Sequence, residues 1–161
     1  MKSGVEIEWM SWDGCLGTDL DSSSTAVIWI LNPGMKPFPR RAAFETSLAF
    51  WDRSELPPLD HLIASLFGRW PEACCAIRRA LCGDNGGWPW RPPLSHDAEA
   101  VKGFVDDLPA YVSRVVVACE FGISRSRAVA EWIAASVGTT AIGNRAKGEP
   151  NARLSDLLFS A

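Results

Sequence analysis

The stretch VVVACEFGISRSRAVAEWIAAS, residues 115–136, joins an apolar run to a helical pattern through a short loop. The β-branched run over 114–118 is too apolar for a strand with one wet face. It therefore predicts a strand in a sheet that helices cover on both sides. After the loop, Val129 and Ile133 recur at helical spacing, and Gly138 is a natural end for that helix. The stretch predicts a strand–loop–helix unit.

The rest of the chain extends this unit into an α/β pattern. Residues 26–31 form a second apolar run, which the turn signal Asn32-Pro33-Gly34 closes, and residues 43–51 are a third strand candidate. Helices are predicted over 59–66, 71–82, 95–108 with Ser95 as the N-cap, and 151–159. Strands that alternate with helices predict a single domain, residues 1–161, with a mostly parallel central sheet flanked by helices.

Composition excludes several classes of protein. The chain has 161 residues, of which 47% are hydrophobic and 22% charged, as in a folded globular domain rather than a disordered one. Its net charge of −3 argues against a nucleic-acid partner. No apolar stretch reaches the roughly 20 residues that a membrane span needs, and residues 1–14 lack the apolar core of a secretory signal. We therefore expect a cytoplasmic protein with no membrane partner.

The cysteines fit that expectation. They are odd in number and two are adjacent, which makes a poor disulfide framework and suits a reducing compartment. No CxxC pair occurs and the chain has two histidines, so no metal site is predicted. Two of the cysteines are candidate resolving thiols, Cys15 and Cys82, and the adjacent pair is expected to pack in a helix. The five are Cys15, Cys74, Cys75, Cys82 and Cys119.

The loop between the predicted strand and helix has the features of an anion site. Its backbone N–H groups are unpaired at a helix start, where the helix dipole also favours negative charge. The five residues 120–124 are enough chain to curl around a tetrahedral dianion. Gly122 permits backbone conformations closed to other residues, and Arg125 can grip two oxygens with its planar fork. We call residues 119–125 the cradle.

Two side chains could add chemistry to this cradle. The amides, the helix dipole and Arg125 would favour Cys119 as a thiolate nucleophile on the cradle floor. Ser126 follows the arginine, where its hydroxyl could hydrogen-bond the sulfur and ease its departure from a covalent intermediate. The competing interpretation of Cys119 is an inert cysteine buried at a strand end. Arg127 is interpreted as a helix-surface charge.

The spacing Cys119-x5-Arg125-Ser126 resembles the signature loop of the cysteine-dependent protein tyrosine and dual-specificity phosphatases. The string CEFGISRSRAVA, residues 119–130, is similar to the C-x-A-G-I-S-R-S-x-A-V-A of small bacterial and phage phosphatase-like proteins. Residues 93–108 fit the helix before the signature strand in that group, and residues 150–154 are similar to its closing P-N helix.

The resemblance implies a phosphomonoester hydrolase that acts through a cysteinyl-phosphate on a phosphorylated protein or small molecule, with no cofactor. The cradle residues would bind the phosphoryl group: Glu120, Phe121, Gly122, Ile123, Ser124 and Arg125. The chain departs from the pattern at Ala118, where histidine is usual, and at Phe121, where alanine is common. Ala118 motivates the alternative of a weak or inactive pseudophosphatase that binds phosphate or a phosphoprotein.

The resemblance also implies an aspartate as general acid on a separate loop. Asp52, in SLAFWDRSE, resembles the F-x-D end of the strand before the acid loop, and it is the favoured candidate. Asp84 lies near the usual dual-specificity spacing from Cys119, and a protein without an efficient acid is the third possibility. Sulfur or arsenate chemistry at Cys119 is a more distant alternative. Substrate identity and oligomeric state stay open.

Overall fold

The computed structural model of the protein describes residues 4–20, 23–50, 93–143 and 148–160. These residues form one α/β unit in which helices flank a five-stranded, all-parallel sheet. The strands are β1 (Glu6–Ser11), β2 (Thr25–Leu31), β3 (Phe44–Ala49), β4 (Arg114–Cys119) and β5 (Ile142–Gly143). The helices are α1 (Trp12–Gly17), α2 (Ser95–Asp106), α3 (Arg125–Val137) and α4 (Ala152–Phe159).

Three strands and three helices lie where the sequence predicts them, and three elements are additional. The additional elements are β1, α1 and the two-residue β5. The helices predicted over 59–66 and 71–82 lie outside the described residues. Within the described ranges, no helix has the length and apolar character to cross a membrane.

The order of the strands in the sheet is β3-β2-β4-β1-β5, which makes β4 the central strand. From β2 the chain continues to β3 at one side, whereas from β4 it continues through α3 to β5 at the other side. In open α/β sheets, the crevice between two strands whose connections diverge in this way is the usual ligand site. The topology therefore points to the carboxyl ends of β2 and β4, where Cys119 pairs with Ile30.

The core occupies both faces of the sheet, as the continuous apolar runs predict. Along β4, Val115, Val117 and Cys119 lie in a cluster with residues of α2, α3 and α4. Val116 and Ala118 lie in a second cluster that includes residues of α1 and β2. All seven residues of β2 are buried, as expected for a strand covered on two faces.

Local side-chain and backbone geometry sets the helix ends. Gly138 has a left-handed φ of 72° and ends α3, as predicted. The prediction of Ser95 as N-cap of α2 is wrong by one residue, because the cap is Leu94. The backbone N–H of Leu94 donates to the buried carboxylate of Asp97 at 2.8 Å. This hydrogen bond stabilises the first turn of α2. The side chain of Asn151 caps α4 by accepting a hydrogen bond from the N–H of Leu154 at 2.9 Å.

Helix α4 offers a test of this packing, because two adjacent leucines differ in burial. Leu158 is fully buried in the cluster of α2, α3 and α4, whereas Leu157 packs at its margin. We expect Leu158→Ala to lower the free energy of unfolding by about 2–5 kcal/mol, the range for removing a buried leucine side chain. Leu157→Ala should cost distinctly less. Urea denaturation of both variants measures the difference, and equal losses would contradict the packing.

Candidate functional site

The predicted strand–loop–helix unit is present with the cradle at its turn. Cys119 is the last residue of β4, residues 120–124 form the loop, and Arg125 is the first residue of α3. Helix α3 is 13 residues long, so its dipole places partial positive charge beside the loop. Among the described residues, the N–H groups of 121–123 have no hydrogen-bond acceptor. The loop therefore has backbone donors to offer to an anion.

Gly122 is required in this loop for two separate reasons. Its φ of +66° lies in the left-handed region that side chains disfavour. A Cβ at this position would also lie 2.3 Å from the backbone N of Ser11 and 2.4 Å from the carbonyl C of Met10. The loop is thus pressed against the carboxyl end of β1, and only glycine allows that approach.

Cys119 and Ser126 are in direct contact. A hydrogen bond of 3.1 Å joins Cys119 Sγ and Ser126 Oγ. Both residues are buried. A hydroxyl at this distance can donate to the sulfur whenever the sulfur carries negative charge. The contact is therefore suited to stabilise a thiolate, whether as nucleophile or as leaving group.

Arg125 is 2% exposed, and its guanidinium is held from one side. Its Nη1 donates to Asn32 Oδ1 at 2.9 Å and to the carbonyl of Phe50 at 2.8 Å. Its Nε is buried and has no hydrogen-bond partner among the described residues. Nε and Nη2 form the edge of a guanidinium that binds two oxygens side by side. We call this the open edge of Arg125, because Nε is available there to an oxyanion, although Nη2 on the same edge already has Glu120 as a neighbouring counter-charge.

A carboxylate and an amide complete the surroundings of Arg125. Glu120 Oε2 lies 3.8 Å from Arg125 Nη2, and the side chain of Glu120 is 34% exposed. Asn32 Nδ2 donates to the same Oε2 at 2.8 Å. From the sequence, Asn32 was predicted only to be part of the turn that follows β2. Its position directly after β2, at the carboxyl edge of the sheet, is the signal that could have marked it as a site residue.

The chain after β5 supports the loop from outside. The carbonyl of Ser124 accepts a hydrogen bond from the N–H of Asn151 at 3.2 Å. Arg127 donates to the carbonyl of Gly148 at 2.6 Å and to Glu131 at 2.7 Å. Arg127 is therefore more than the helix-surface charge that the sequence indicated, because it ties α3 to the segment before α4.

Apart from Cys15, the remaining predicted residues lie either at the cradle or outside the described residues. Phe121 is 69% exposed, at the rim of the cradle. Asp52 and Asp84, the two candidate general acids, lie outside the described residues, as do Cys74, Cys75 and Cys82. No group of three or more potential metal ligands occurs within the described parts of the chain.

Cys15 is a poor candidate for a resolving thiol. It is fully buried in the cluster on the α1 face of the sheet, whereas Cys119 belongs to the cluster on the other face. Neither cysteine forms a disulfide. Burial raises the pKa of the Cys15 thiol to about 11, so it stays protonated near neutral pH. A protonated, inaccessible thiol does not attack an oxidised sulfur efficiently.

Comparison of the chain with models of known protein families, with curated proteins and with solved structures finds no match. Any function therefore has to be argued from the geometry of the cradle and from the resemblance of its sequence.

The two left-handed glycines provide a matched test of the loop. Gly122 and Gly138 have nearly the same φ, but an added Cβ at Gly138 meets nothing within 4 Å. Alanine at either position should cost about 1–2 kcal/mol for the left-handed conformation. Gly122→Ala should cost more, because its Cβ meets the backbone of β1, and it should also displace the loop.

We expect Gly122→Ala to lose binding of inorganic phosphate and Gly138→Ala to retain it. Calorimetric titration with phosphate, beside urea denaturation, measures both effects. Equal phosphate affinity in the two variants would contradict the role given to the loop.

Proposed function

We propose that the protein is an oxyanion-binding α/β enzyme and, specifically, a phosphomonoester hydrolase of the cysteine-dependent phosphatase kind. One observation carries the proposal. A single loop at the carboxyl end of the central strand brings together a cysteine, a hydroxyl 3.1 Å from its sulfur and an arginine whose buried Nε has no hydrogen-bond partner among the described residues. The resemblance of residues 119–130 to phosphatase signature loops supports the same chemistry.

The first chemical step would be transfer of the phosphoryl group to sulfur. Arg125 Nε and Nη2 and the loop amides hold the nonbridging oxygens, over which negative charge is spread in the transition state. The thiolate of Cys119 forms the S–P bond as the ester P–O bond breaks. The leaving oxygen takes a proton from a general acid, for which Asp52 is the favoured candidate and Asp84 the alternative.

The second step would be hydrolysis of the cysteinyl-phosphate. The same acid, now a carboxylate, removes a proton from water, which forms a new P–O bond as the S–P bond breaks. The sulfur leaves as a thiolate, and the Ser126 hydroxyl donates to it. Arginine and amides supply the charge stabilisation in both steps, so neither step needs a metal or a cofactor.

A second candidate function is binding of phosphate or of a phosphorylated partner without turnover. The observation that favours it is the environment of Ala118, which is fully buried on the α1 face and pairs with Trp29 and Met10 on the neighbouring strands. Because residue 118 is alanine, no imidazole is available at this position to organise the loop. In this case the cradle would hold the anion while Cys119 stays unmodified.

The two buried cysteines allow a matched test of the nucleophile. We expect Cys119→Ser to lower the hydrolysis rate of an aryl phosphate by about 10⁴-fold or more, the range for loss of a catalytic nucleophile. Cys15→Ser, on the other face of the sheet, should leave the rate near that of the wild type. The wild-type rate should also fall with vanadate, which occupies the same cradle.

Activity that survives Cys119→Ser, or turnover that is insensitive to vanadate, would contradict the proposed hydrolase. The function without turnover would be favoured by a different pair of results. The wild type would bind phosphate but hydrolyse no substrate, and Arg125→Ala would abolish the binding.

Ser126 offers a test of the second step. In Ser126→Ala the leaving thiolate loses its hydrogen-bond donor, so the cysteinyl-phosphate should accumulate and kcat should fall by about 10-fold to 100-fold, the range for one hydrogen bond to a charged group. Rapid-quench kinetics should show a burst of product followed by slow turnover. The control is Ser136→Ala on the same helix, whose hydroxyl donates to carbonyls of the preceding turn. Unchanged kinetics in Ser126→Ala would exclude the proposed role.

A further inference from the structure

We infer that Asn32 and Glu120 are positioning residues for Arg125. Asn32 fixes the orientation of the guanidinium, and Glu120 is the counter-charge that an incoming phosphoryl group replaces. The inference rests on the proposed function, because it assumes that the open edge of Arg125 receives the ligand. It assigns a role to a side chain at the end of β2, outside the signature loop.

The amide of Asn32 is held in one orientation by its two neighbours. Its oxygen accepts a hydrogen bond from Arg125 Nη1, and its nitrogen donates to Glu120 Oε2. A flipped amide would place a donor against the cation and an acceptor against the carboxylate, which would lose both bonds. Asn32 thus connects the guanidinium of Arg125 to the carboxylate of Glu120 through one hydrogen bond to each.

A backbone turn also fixes the position of Asn32. The carbonyl of Asn32 accepts a hydrogen bond from the N–H of Met35 at 3.1 Å, and Gly34 between them has a φ of +87°. Proline followed by a left-handed glycine is typical of a type II turn. The turn fixes Asn32 directly beyond β2, next to the central strand that carries Cys119.

Anchoring one nitrogen of a planar guanidinium restricts the other two. Asn32 and the carbonyl of Phe50 hold Nη1 of Arg125 toward the ends of β2 and β3. Nε and Nη2 then cannot rotate toward those strands without breaking both bonds. A preorganised fork binds an oxyanion at a lower entropic cost than a mobile one.

Glu120 explains how the cradle tolerates a buried cation before a ligand arrives. An unpaired buried charge is costly, and the Glu120 carboxylate 3.8 Å from Nη2 offsets that cost. Because its side chain is 34% exposed, it can turn toward solvent when a phosphate dianion takes its place. The same carboxylate must therefore compete with the ligand for Arg125.

The experiment is calorimetric titration of the purified full chain with inorganic phosphate, with kcat and KM for an aryl phosphate measured in parallel. Asn32→Leu removes both hydrogen bonds without a change of charge. It should weaken phosphate binding by about tenfold, within the range of coupling in one hydrogen-bond network. Since the fork acts in the transition state, kcat should fall as well as affinity. Glu120→Gln keeps an acceptor for Asn32 but removes the competing charge, so it should bind phosphate several-fold more tightly.

The double variant Asn32→Asp/Glu120→Gln separates positioning from a general packing role. It reverses donor and acceptor between the two side chains and leaves the net charge unchanged, so its phosphate affinity should be close to that of the wild type. Glu131→Gln is the matched control, since Glu131 also pairs with an arginine, Arg127, but outside the cradle. It should leave phosphate affinity unchanged.

The outcomes distinguish this inference from the proposed function. A wild type that binds no phosphate, or an Arg125→Ala variant that binds it normally, overturns the cradle and the inference together. If Arg125→Ala abolishes binding but Asn32→Leu has wild-type affinity, only the positioning role is overturned. If Asn32→Leu does not fold, Glu120→Gln decides: unchanged phosphate affinity overturns the inference.

Discussion

The site depends on one buried charge, the guanidinium of Arg125. Arg125 is 2% exposed, and removing such a charge from water costs several kcal/mol unless it is paired and hydrogen-bonded. Among the described residues, its partners come from three places: Asn32 and the carbonyl of Leu31 at the end of β2, the carbonyl of Phe50 after β3, and Glu120 within the loop. None of these partners could satisfy the cation alone. The carboxyl ends of three strands therefore have to meet around one side chain.

The all-parallel sheet makes that meeting possible. Because β4 is central and β2 is its neighbour, the residues that follow them leave the sheet at the same edge. Gly122 lets the loop lie directly against the end of β1, and Asn151 ties the loop to the cap of α4. The loop is thereby held on both sides while its N–H groups and the Nε edge of Arg125 are left for a ligand. Rigidity and an open binding edge arise from the same contacts.

The sequence predicted the elements with strong local signals. The continuous apolar runs of β2 and β4 and the glycine that ends α3 are local patterns, and the structure confirms the positions that they indicate. β1 was missed although Val5, Ile7 and Trp9 alternate with polar or less buried residues, the period of a strand. β5 has two residues, too few for any periodic signal.

The surroundings of Arg125 could not be predicted from the chain. Asn32 lies 88 residues from Glu120 and 93 from Arg125, so their contact depends on sheet topology rather than on any local pattern. The role of Arg127 depends in the same way on a segment 21 residues further along the chain. The general acids proposed from the sequence, Asp52 and Asp84, lie outside the described residues and stay predictions.

We propose that the loop and Arg125 form an oxyanion cradle above the Cys119 sulfur. A crystal structure of the protein with tungstate, a heavy tetrahedral oxyanion, tests it most directly. We expect tungsten opposite Cys119 Sγ, with its oxygens within hydrogen-bond distance of Arg125 Nε and the N–H groups of 121–123. Glu120 should be displaced from Nη2. Tungstate bound elsewhere on the molecule, or a cradle that stays empty at saturating tungstate, would contradict the proposed oxyanion site.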